Sequence, residues 1–293
     1  MKMSATCMNC LYAQQYERAK AHPDEQKKMK FLLEVMRLIE EGTRVERTAP
    51  VIYAQLHAAF DRVFETHTTY AEEKKRYNQL IMAQEEAIRE RIRQAEDPLE
   101  AALCISRAAN YIDFTVGSQV DVNLLEELLA QAQEHPLDPV EYANLCRDLA
   151  SARSLVYLTD NCGEVVLDKL AVEQLQVRYP SLRLTVLMRG YEAINDATLE
   201  DARECGLSDV AVCVGNGSNA TGTPLTEITD EARSLLFSAD VLISKGQGNF
   251  ETLSDTGLNI YYLFLCKCER FMNLFHVSRN TGMLVNGRRL PQA

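Results

Sequence analysis

The chain has 293 residues with a net charge of −11, and 46% hydrophobic and 25% charged residues are typical of a globular protein rather than a disordered or fibrous one. The acidic balance argues against a nucleic-acid partner, since contact with a polyanion needs a basic face. No apolar run approaches the roughly 20 residues of a membrane span, no signal-peptide core opens the sequence, and nine irregularly spaced cysteines favour a reducing cytoplasm.

Residues 1–150 contain two of the 13 glycines, and their apolar residues recur at helical spacing. Helices are predicted over 27–41, 50–66, 69–96 and 98–112. Gly42 follows the first of them, where a C-terminal cap is expected, and Pro98 stands at the start of the last, where proline is favoured. This part of the chain is therefore predicted to be an all-helical N-terminal region.

Residues 151–293 alternate between short apolar runs and helical stretches. Strands are predicted over 155–158, 182–187, 210–214, 241–243 and 260–265. Helices are predicted between the first four, over 164–178, 197–205 and 226–237. Such alternation indicates βαβ units. We therefore predict an α/β fold with a Rossmann-like, mostly parallel sheet flanked by helices, in which 1–150 forms a helical cap and 151–293 the catalytic domain.

Polar residues follow the predicted strands, at the edge where ligands bind in open parallel sheets. Asp160 and Asn161 follow the first strand, and Asp196 comes after the second. Their oxygens are hard ligands that suit Mg²⁺ or Mn²⁺ better than zinc. Each of them could instead cap the helix that follows. Because two of these side chains share one strand end and the third follows the next, a metal site is the favoured interpretation.

Two cations lie at the same edge. Lys245 ends the fourth strand among glycines, where its ammonium group and backbone N–H groups could surround a phosphate, and Arg189 with Gly190 follows the second strand. A solvated lysine in a turn is the alternative for Lys245. The glycine-rich stretch 215–222 is compatible equally with a phosphate-binding loop and with a surface loop.

Several catalytic signatures are absent from the sequence. There is no P-loop, no GxGxxG after the first strand, no GxSxG and no HExxH. Cys162 stands two residues after Asp160, where a haloacid-dehalogenase-type phosphatase has a second aspartate. These absences disfavour a P-loop NTPase, a dinucleotide-binding protein and a serine hydrolase.

The cysteines leave three interpretations open. Cys7 and Cys10 form a CxxC motif, and Cys266 and Cys268 form a CxC motif. They could hold a structural metal, form a redox pair or remain free thiols. Four other cysteines fall within apolar patterns and are predicted to be small core residues: Cys104, Cys146, Cys205 and Cys213.

The motifs resemble those of the metal-dependent damage-control phosphatases, also known as domain of unknown function 89 and as acidic-residue methyltransferase-like proteins. Residues 160–164 are similar to the family's DNAGE segment, with Cys162 in place of alanine. Residues 195–201 match its NDAT..D segment. Residues 244–251 match SKGQGNYE, with phenylalanine for tyrosine.

Two further segments extend the resemblance over nearly the whole chain. Residues 109–114 resemble the family's GNxIDF, with Ala109 at the glycine position. The CxxC motif of Cys7 and Cys10, together with residues 267–268, is similar to that of stand-alone prokaryotic members.

The resemblance implies a cytoplasmic enzyme that hydrolyses phosphomonoesters of small metabolites, such as sugar phosphates and damaged or side-product phosphates. It implies a divalent metal, Mg²⁺, Mn²⁺, Co²⁺ or Ni²⁺, held by Asp160, Asn161 and Asp196. Catalysis is expected to use Asp160, Glu164 and Lys245. The substrate is expected to contact Arg189, Gly190, Asn195, Lys245, Asn249, Asn110 and Asp113.

Two other functions remain open at this stage. One is an S-adenosylmethionine-dependent carboxyl methyltransferase. Its cofactor typically binds at a glycine-rich first loop, and Gly163 is the single glycine there. The other is a non-catalytic sensor that binds a phosphometabolite and uses its CxxC motif as a switch. The sequence names neither the substrate nor the oligomeric state, and it predicts no nucleic-acid or membrane partner.

Overall fold

In the computed structural model, which describes residues 1–109, 130, 132 and 134–290, three helices at the start of the chain pack on one another. They are α1 (Ala5–Ala19), α2 (Glu25–Arg44) and α3 (Ala49–Phe64). The apolar residues of α2 that share a helical face, such as Phe31 and Val35, are buried against Leu56 of α3. Asp24 begins α2 by accepting a hydrogen bond from the Lys27 amide. These helices have a core cluster of their own.

Gly42 does not end α2 as predicted. The helix continues to Arg44, and Gly42 is buried within its last turn. A Cβ atom at Gly42 would lie 2.6 Å from the Cδ1 atom of Ile52 on α3. The prediction of a cap was wrong because the glycine serves close packing between two helices rather than a left-handed turn.

Between the first three helices and the sheet, the described residues contain four more helices with defined bounds. They are α4 (Ala71–Met82), α5 (Glu85–Arg93), α6 (Pro98–Ala108) and α7 (Pro139–Ser151). The single helix predicted over 69–96 is thus two helices, separated by a turn at residues 83–84. After this turn, Ile88 and Ile92 of α5 are buried in the main core. The helix predicted from Pro98 corresponds to α6, and residues 110–112 of that prediction lie outside the described residues.

Six strands in the described part of the chain form one sheet. They are β1 (Ser154–Leu158), β2 (Arg183–Met188), β3 (Val212–Gly215), β4 (Val241–Lys245), β5 (Ile260–Cys266) and β6 (Thr281–Asn286). Their order is β3-β2-β1-β4-β5-β6, and every pair is parallel except β5 with β6. The predicted α/β fold with a mostly parallel, Rossmann-like sheet is therefore confirmed, and β6 is an addition that the sequence did not predict.

Helices cover both faces of the sheet. They are α8 (Glu164–Arg178), α9 (Leu199–Glu204), α10 (Leu207–Val210), α11 (Asp230–Ser238), α12 (Gln247–Leu253) and α13 (Glu269–Phe275). Alternate strand residues face opposite sides, so Tyr157 of β1 packs with α6 and α8, whereas Leu158 packs with α11 and α12. Helices α5, α6 and α7 share the first of these clusters with the sheet. A division at residue 150 stays a prediction.

The strand order reverses between β1 and β4. From β1 the chain crosses to β2 on one side, and β4 pairs with β1 on the other. In open α/β sheets, a reversal of this kind leaves a crevice outside the carboxyl ends of the two strands, where ligands bind. None of the helices in the described ranges has the length and apolar composition needed to span a bilayer.

Candidate active site

The loops after β1 and β4 meet at the strand-order reversal. Asp160 lies two residues beyond β1, and Gly246 directly follows β4. Gly246 has a positive φ of 77°, and a Cβ atom there would overlap the Asp160 carboxylate. Only glycine fits this position, because other residues would add both backbone strain and a clash. The loop after β4 therefore comes close enough to define where the Asp160 side chain lies.

The loop after β2 is hydrogen-bonded to the loop after β1. The Ala197 amide donates to the Asp160 carbonyl oxygen at 2.7 Å, and the Cys162 amide donates to the Asn195 carbonyl oxygen at 2.8 Å. The Asn195 side-chain amide also donates to Oδ1 of Asn161 at 3.0 Å. This pairing holds the side chains of Asp160, Asn161 and Asp196 in one place, as the sequence predicted.

Arg189 connects these groups from beneath. Its side chain is 1% exposed. The Nε atom donates to Oδ2 of Asp196 at 2.5 Å, and Nη2 lies 3.4 Å from Oδ1 of Asp160. Its Nη1 atom donates to Oδ1 of Asn249 at 3.0 Å. Asn249 in turn donates to the carbonyl oxygens of Thr159 and Lys245, so one guanidinium group ties together the ends of β1, β2 and β4.

The site carries more negative charge than Arg189 compensates. Burial and, after it, the carboxylates of Asp196 and Glu164 raise the pKa of Asp160 to about 8, against the opposing effects of Arg189 and Lys245. Burial also raises the pKa of Asp196 above its usual value, although Arg189 opposes the shift. The Asp160 side chain keeps 13% of its surface exposed, against 5% for Asp196, so Asp160 is the carboxylate that solvent reaches more readily.

The donor atoms of the site fit a hard divalent cation. Asp160 and Asp196 offer carboxylate oxygens, and Asn161 offers an amide oxygen, which are the ligand types that Mg²⁺ and Mn²⁺ favour. Two buried carboxylates whose pKa values are both raised by burial would also be stabilised by added positive charge. Within the described ranges, no three Asp, Glu, His or Cys side chains are grouped to hold a metal. The donor set here therefore combines two carboxylates with an amide.

Lys245 lies deeper than the carboxylates, at the last position of β4. It is entirely buried, so it is not the solvated turn lysine of the alternative interpretation. Its Nζ atom donates to Oε1 of Glu164, to Oδ1 of Asp168 at 2.8 Å and to both Oγ and the carbonyl oxygen of Ser106, at 2.6 and 3.0 Å. Burial alone would lower the lysine's pKa, but the carboxylates of Asp168 and Glu164 outweigh it and raise the pKa.

Glu164 connects Lys245 to the loop after β1. It is the first residue of α8, and its Oε2 atom accepts from the Asn161 side-chain amide at 3.1 Å. The same amide donates to Oδ2 of Asp160 at 2.9 Å. A carboxylate at a helix N-terminus is also favoured by the helix dipole. Glu164 thus lies within one hydrogen bond of Asn161 and two of Asp160.

Gly190 packs against the glycine-rich loop. A Cβ atom at Gly190 would overlap the backbone of Gly217, and the Gly190 amide donates to Oδ1 of Asn216 at 2.9 Å. Asn110 and Asp113, the substrate-contacting residues predicted from the helical region, lie outside the described residues. Their roles, and the predicted contacts of Gly190 and Asn195 with substrate, stay predictions.

Sequence reasoning missed one buried asparagine that holds the loop after β1 against helix α9. Asn78 of α4 accepts from the Gly163 amide at 2.6 Å and donates to Oδ1 of Asp201 at 2.9 Å and Oε2 of Glu204 at 3.0 Å. Lys74, one turn earlier, lies 2.7 Å from Asp201. Both polar residues share the buried face of α4, and that pairing was the one signal available in the sequence.

All nine cysteines, each of which lies in the described residues, have free thiols. Cys104 and Cys205 are buried as predicted, whereas Cys146 and Cys213 are half-buried. Cys7 and Cys266 are buried, Cys268 is half-buried and Cys10 is exposed. The Nη1 atom of Arg270 lies 3.5 Å from the Cys7 sulphur. The metal and redox interpretations of the CxxC and CxC motifs stay predictions.

The chain is similar to known damage-control phosphatases. A family model described as the damage-control phosphatase ARMT1-like domain matches residues 3–281. A damage-control phosphatase of Archaeoglobus fulgidus is 30% identical over 273 residues, which cover 92% of this chain and 93% of the relative. A damage-control phosphatase of Pyrococcus horikoshii is 32% identical over 170 residues, 58% of each chain.

A solved structure has the same fold. The crystal structure of a protein from Pyrococcus horikoshii, in the family of domain of unknown function 89, superposes with a TM-score of 0.84. The alignment covers 98% of this chain and 99% of that one, at 23% sequence identity. At this identity, the likeness supports the fold.

Proposed function

The chain belongs to the damage-control phosphatase ARMT1-like domain family, and from this we propose that it hydrolyses phosphomonoesters of small metabolites, such as sugar phosphates and damaged or side-product phosphates. Relatives named damage-control phosphatases support a phosphatase role. The observation that carries the proposal is the buried Arg189 held between Asp160 and Asp196 where three strands end. Such an arrangement offers cationic and anionic groups side by side, as phosphoryl transfer requires.

The residues that would hold the divalent cation are Asp160, Asn161 and Asp196. Their three oxygens are hard donors, and the two carboxylates lie where added positive charge would stabilise them. A Mg²⁺, Mn²⁺, Co²⁺ or Ni²⁺ ion, when bound, supplies polarisation of a phosphoryl oxygen and a lowered pKa for a coordinated water. Whether Asp160 serves as a ligand or also as a nucleophile is decided by trapping, since a nucleophile forms an acyl phosphate.

Other residues would bind and orient the substrate. Arg189 would stabilise negative charge on the phosphoryl oxygens, and its contact with Asn249 fixes its orientation. Gly190 and Asn195 would border the substrate from the loop after β2. Glu164 would orient the attacking water, and Lys245, which holds the Glu164 carboxylate, would add positive charge from beneath. Asn110 and Asp113 would contact the leaving group.

The direct test is phosphate release by the purified protein. A panel of sugar phosphates is assayed with Mg²⁺, Mn²⁺, Co²⁺ or Ni²⁺ and again with a chelator. We expect metal-dependent release and a loss of about 100-fold or more in the Asp160→Asn and Asp196→Asn variants, in line with the removal of an electrostatic group from an active site. Asp240→Asn is the matched control, because Asp240 precedes β4 at the opposite edge of the sheet.

Two results would contradict the proposal. One is an absence of phosphate release from every substrate with every metal. The other is full activity in Asp160→Asn. Calorimetric titration with S-adenosylmethionine examines the methyltransferase alternative on the same preparation, and binding there without phosphate release would favour that reaction instead.

A further inference from the structure

Three side chains that the sequence analysis did not select surround Lys245. Ser106 comes from α6, Tyr157 from β1 and Asp168 from the second turn of α8. All three are completely buried, as is Lys245 itself. A buried carboxylate and a buried ammonium are costly unless they are paired and hydrogen-bonded. The cluster therefore needs an explanation beyond the packing of the core.

Asp168 receives an unusual number of donors on one oxygen. Its Oδ1 atom accepts from the Tyr157 hydroxyl at 2.8 Å, from Oγ of Ser106 at 2.5 Å and from Nζ of Lys245 at 2.8 Å. Within the described part of the chain, its Oδ2 atom has no hydrogen-bond partner. All three hydrogen bonds of the carboxylate are thus made by Oδ1, the oxygen atom that contacts Lys245.

Lys245, held by Asp168, in turn fixes the position of the Glu164 carboxylate. An ammonium group has three hydrogens, and those of Lys245 are directed to acceptors on Ser106, Asp168 and Glu164. With its hydrogens engaged, the lysine holds Oε1 of Glu164, while Oε2 of Glu164 holds the Asn161 amide at 3.1 Å. A continuous set of hydrogen bonds therefore runs from the interior of α8 to the loop after β1.

We propose that Asp168 is a positioning residue: it holds Lys245 in place so that Lys245 fixes Glu164 and, through Glu164, the Asn161 side chain. Its effect on turnover rests on the proposed phosphatase function, whereas its effect on the Asn161 side chain does not. The alternative is that Asp168 serves only the stability of α8. The proposal predicts that substitutions at Asp168 and Glu164 affect turnover through the same set of hydrogen bonds, whereas the alternative predicts independent effects.

The test is a double-mutant cycle with Asp168→Asn and Glu164→Gln, both close in shape to the native residues. Asp168→Asn is expected to lower kcat about 10- to 100-fold, the range for one hydrogen bond to a charged group, with KM changed by less than about threefold. The double variant is expected to be no slower than Glu164→Gln alone, because the second change acts on a path already broken. Multiplicative losses in kcat would overturn the proposal.

Glu85→Gln is the matched control. Glu85, the first residue of α5, lies 2.7 Å from Nζ of Lys169, which follows Asp168 on α8, so the variant removes the carboxylate partner of another poorly exposed lysine. We expect its kcat to stay within about twofold of the wild type after correction for the folded fraction. An equal loss of kcat in Glu85→Gln and Asp168→Asn would assign the effect to the helix and overturn the proposal.

A second readout does not depend on activity. The side-chain amide resonances of Asn161 in a ¹⁵N-labelled protein are expected to shift in Asp168→Asn and to stay in place in Glu85→Gln. Unshifted Asn161 resonances in Asp168→Asn would overturn the proposal, even in a preparation whose wild type releases no phosphate. If Asp168→Asn does not fold, Tyr157→Phe removes one bond to Oδ1 of Asp168 and is expected to shift the same resonances by a smaller amount.

Discussion

Replacing Asn78 with alanine removes the hydrogen bonds that join α4 to the loop after β1 and to α9 at one buried point. The side chain is completely buried and makes three hydrogen bonds to residues 85 to 126 positions away in the chain. Alanine leaves the Gly163 amide without its acceptor and removes a donor from the carboxylates of Asp201 and Glu204. The change thus affects groups in two separate segments, the loop after β1 and helix α9.

The expected cost follows from these contacts. A buried amide left without a partner costs about 1–3 kcal/mol, and a bond to a charged group contributes about 1.5–3 kcal/mol. Asp201 keeps its ion pair with Lys74 at 2.7 Å, which reduces the cost of losing the hydrogen bond from Asn78. We therefore expect the free energy of unfolding to fall by about 2–4 kcal/mol in Asn78→Ala. Turnover should fall as well, because Gly163 lies in the loop that carries Asn161.

Urea denaturation followed by circular dichroism measures the free energy of unfolding. Asn144→Ala is a suitable control, since the bond from Arg147 to Asn144 lies at the surface of α7 and its loss should cost less than about 0.5 kcal/mol. Asn78→Asp keeps an acceptor for the Gly163 amide but sets a third carboxylate beside Asp201 and Glu204, so it should be at least as destabilising. An Asn78→Ala protein as stable as the control would refute the reasoning.

Three further changes test other parts of the structure. Gly42→Ala should lower the free energy of unfolding by about 1 kcal/mol in urea, because overpacking against Ile52 outweighs the gain in helix propensity; a stabilised variant would contradict this. Gly246→Ala should abolish phosphate release, because its Cβ atom overlaps the Asp160 carboxylate, and a variant with wild-type kcat would refute that packing. Burial lowers the pKa of His57 from 6.5 to about 4. Between these two pH values the unfolded chain binds a proton at His57 that the folded protein does not, so the free energy of unfolding falls as the pH falls from about 6.5 to 4. His57→Gln should therefore lose less stability than the wild type between pH 7 and pH 5 in urea titrations, and an equal loss would contradict the shift.

The parallel strands and the residues at their carboxyl ends were predictable for one physical reason. Fully buried strands require unbroken apolar runs, and a ligand site at their ends requires polar residues and glycines directly afterwards. Strand β4 and the Lys245-Gly246 pair that ends it show both features in a few consecutive residues. Local sequence therefore contained the fold class and the grouping of Asp160, Asn161 and Asp196.

Features that depend on distant partners were not predictable. Strand β6 contains Gly282, begins with Thr281 and ends with Asn286, and it pairs with β5 at the edge of the sheet, so its sequence lacks the longer apolar run of a central strand. The turn between α4 and α5 contains neither glycine nor proline. Asp168 lies one turn into a predicted helix, and its importance depends on Lys245, which is 77 residues away. Such roles exist only once the sheet brings the partners together.

The pairing of the loops after β1, β2 and β4 also has a consequence for the newly synthesised chain. Asn249 reaches back 90 residues to the carbonyl oxygen of Thr159, and Arg189 joins Asn249 to Asp160 and Asp196. Contacts of such long range form late, after the intervening loop entropy has been overcome. A chain released from the ribosome before residue 249 therefore has every proposed metal ligand but lacks Asn249, which ties Arg189 to the ends of β1 and β4. These contacts can therefore form only after β4 and the start of α12 have been synthesised.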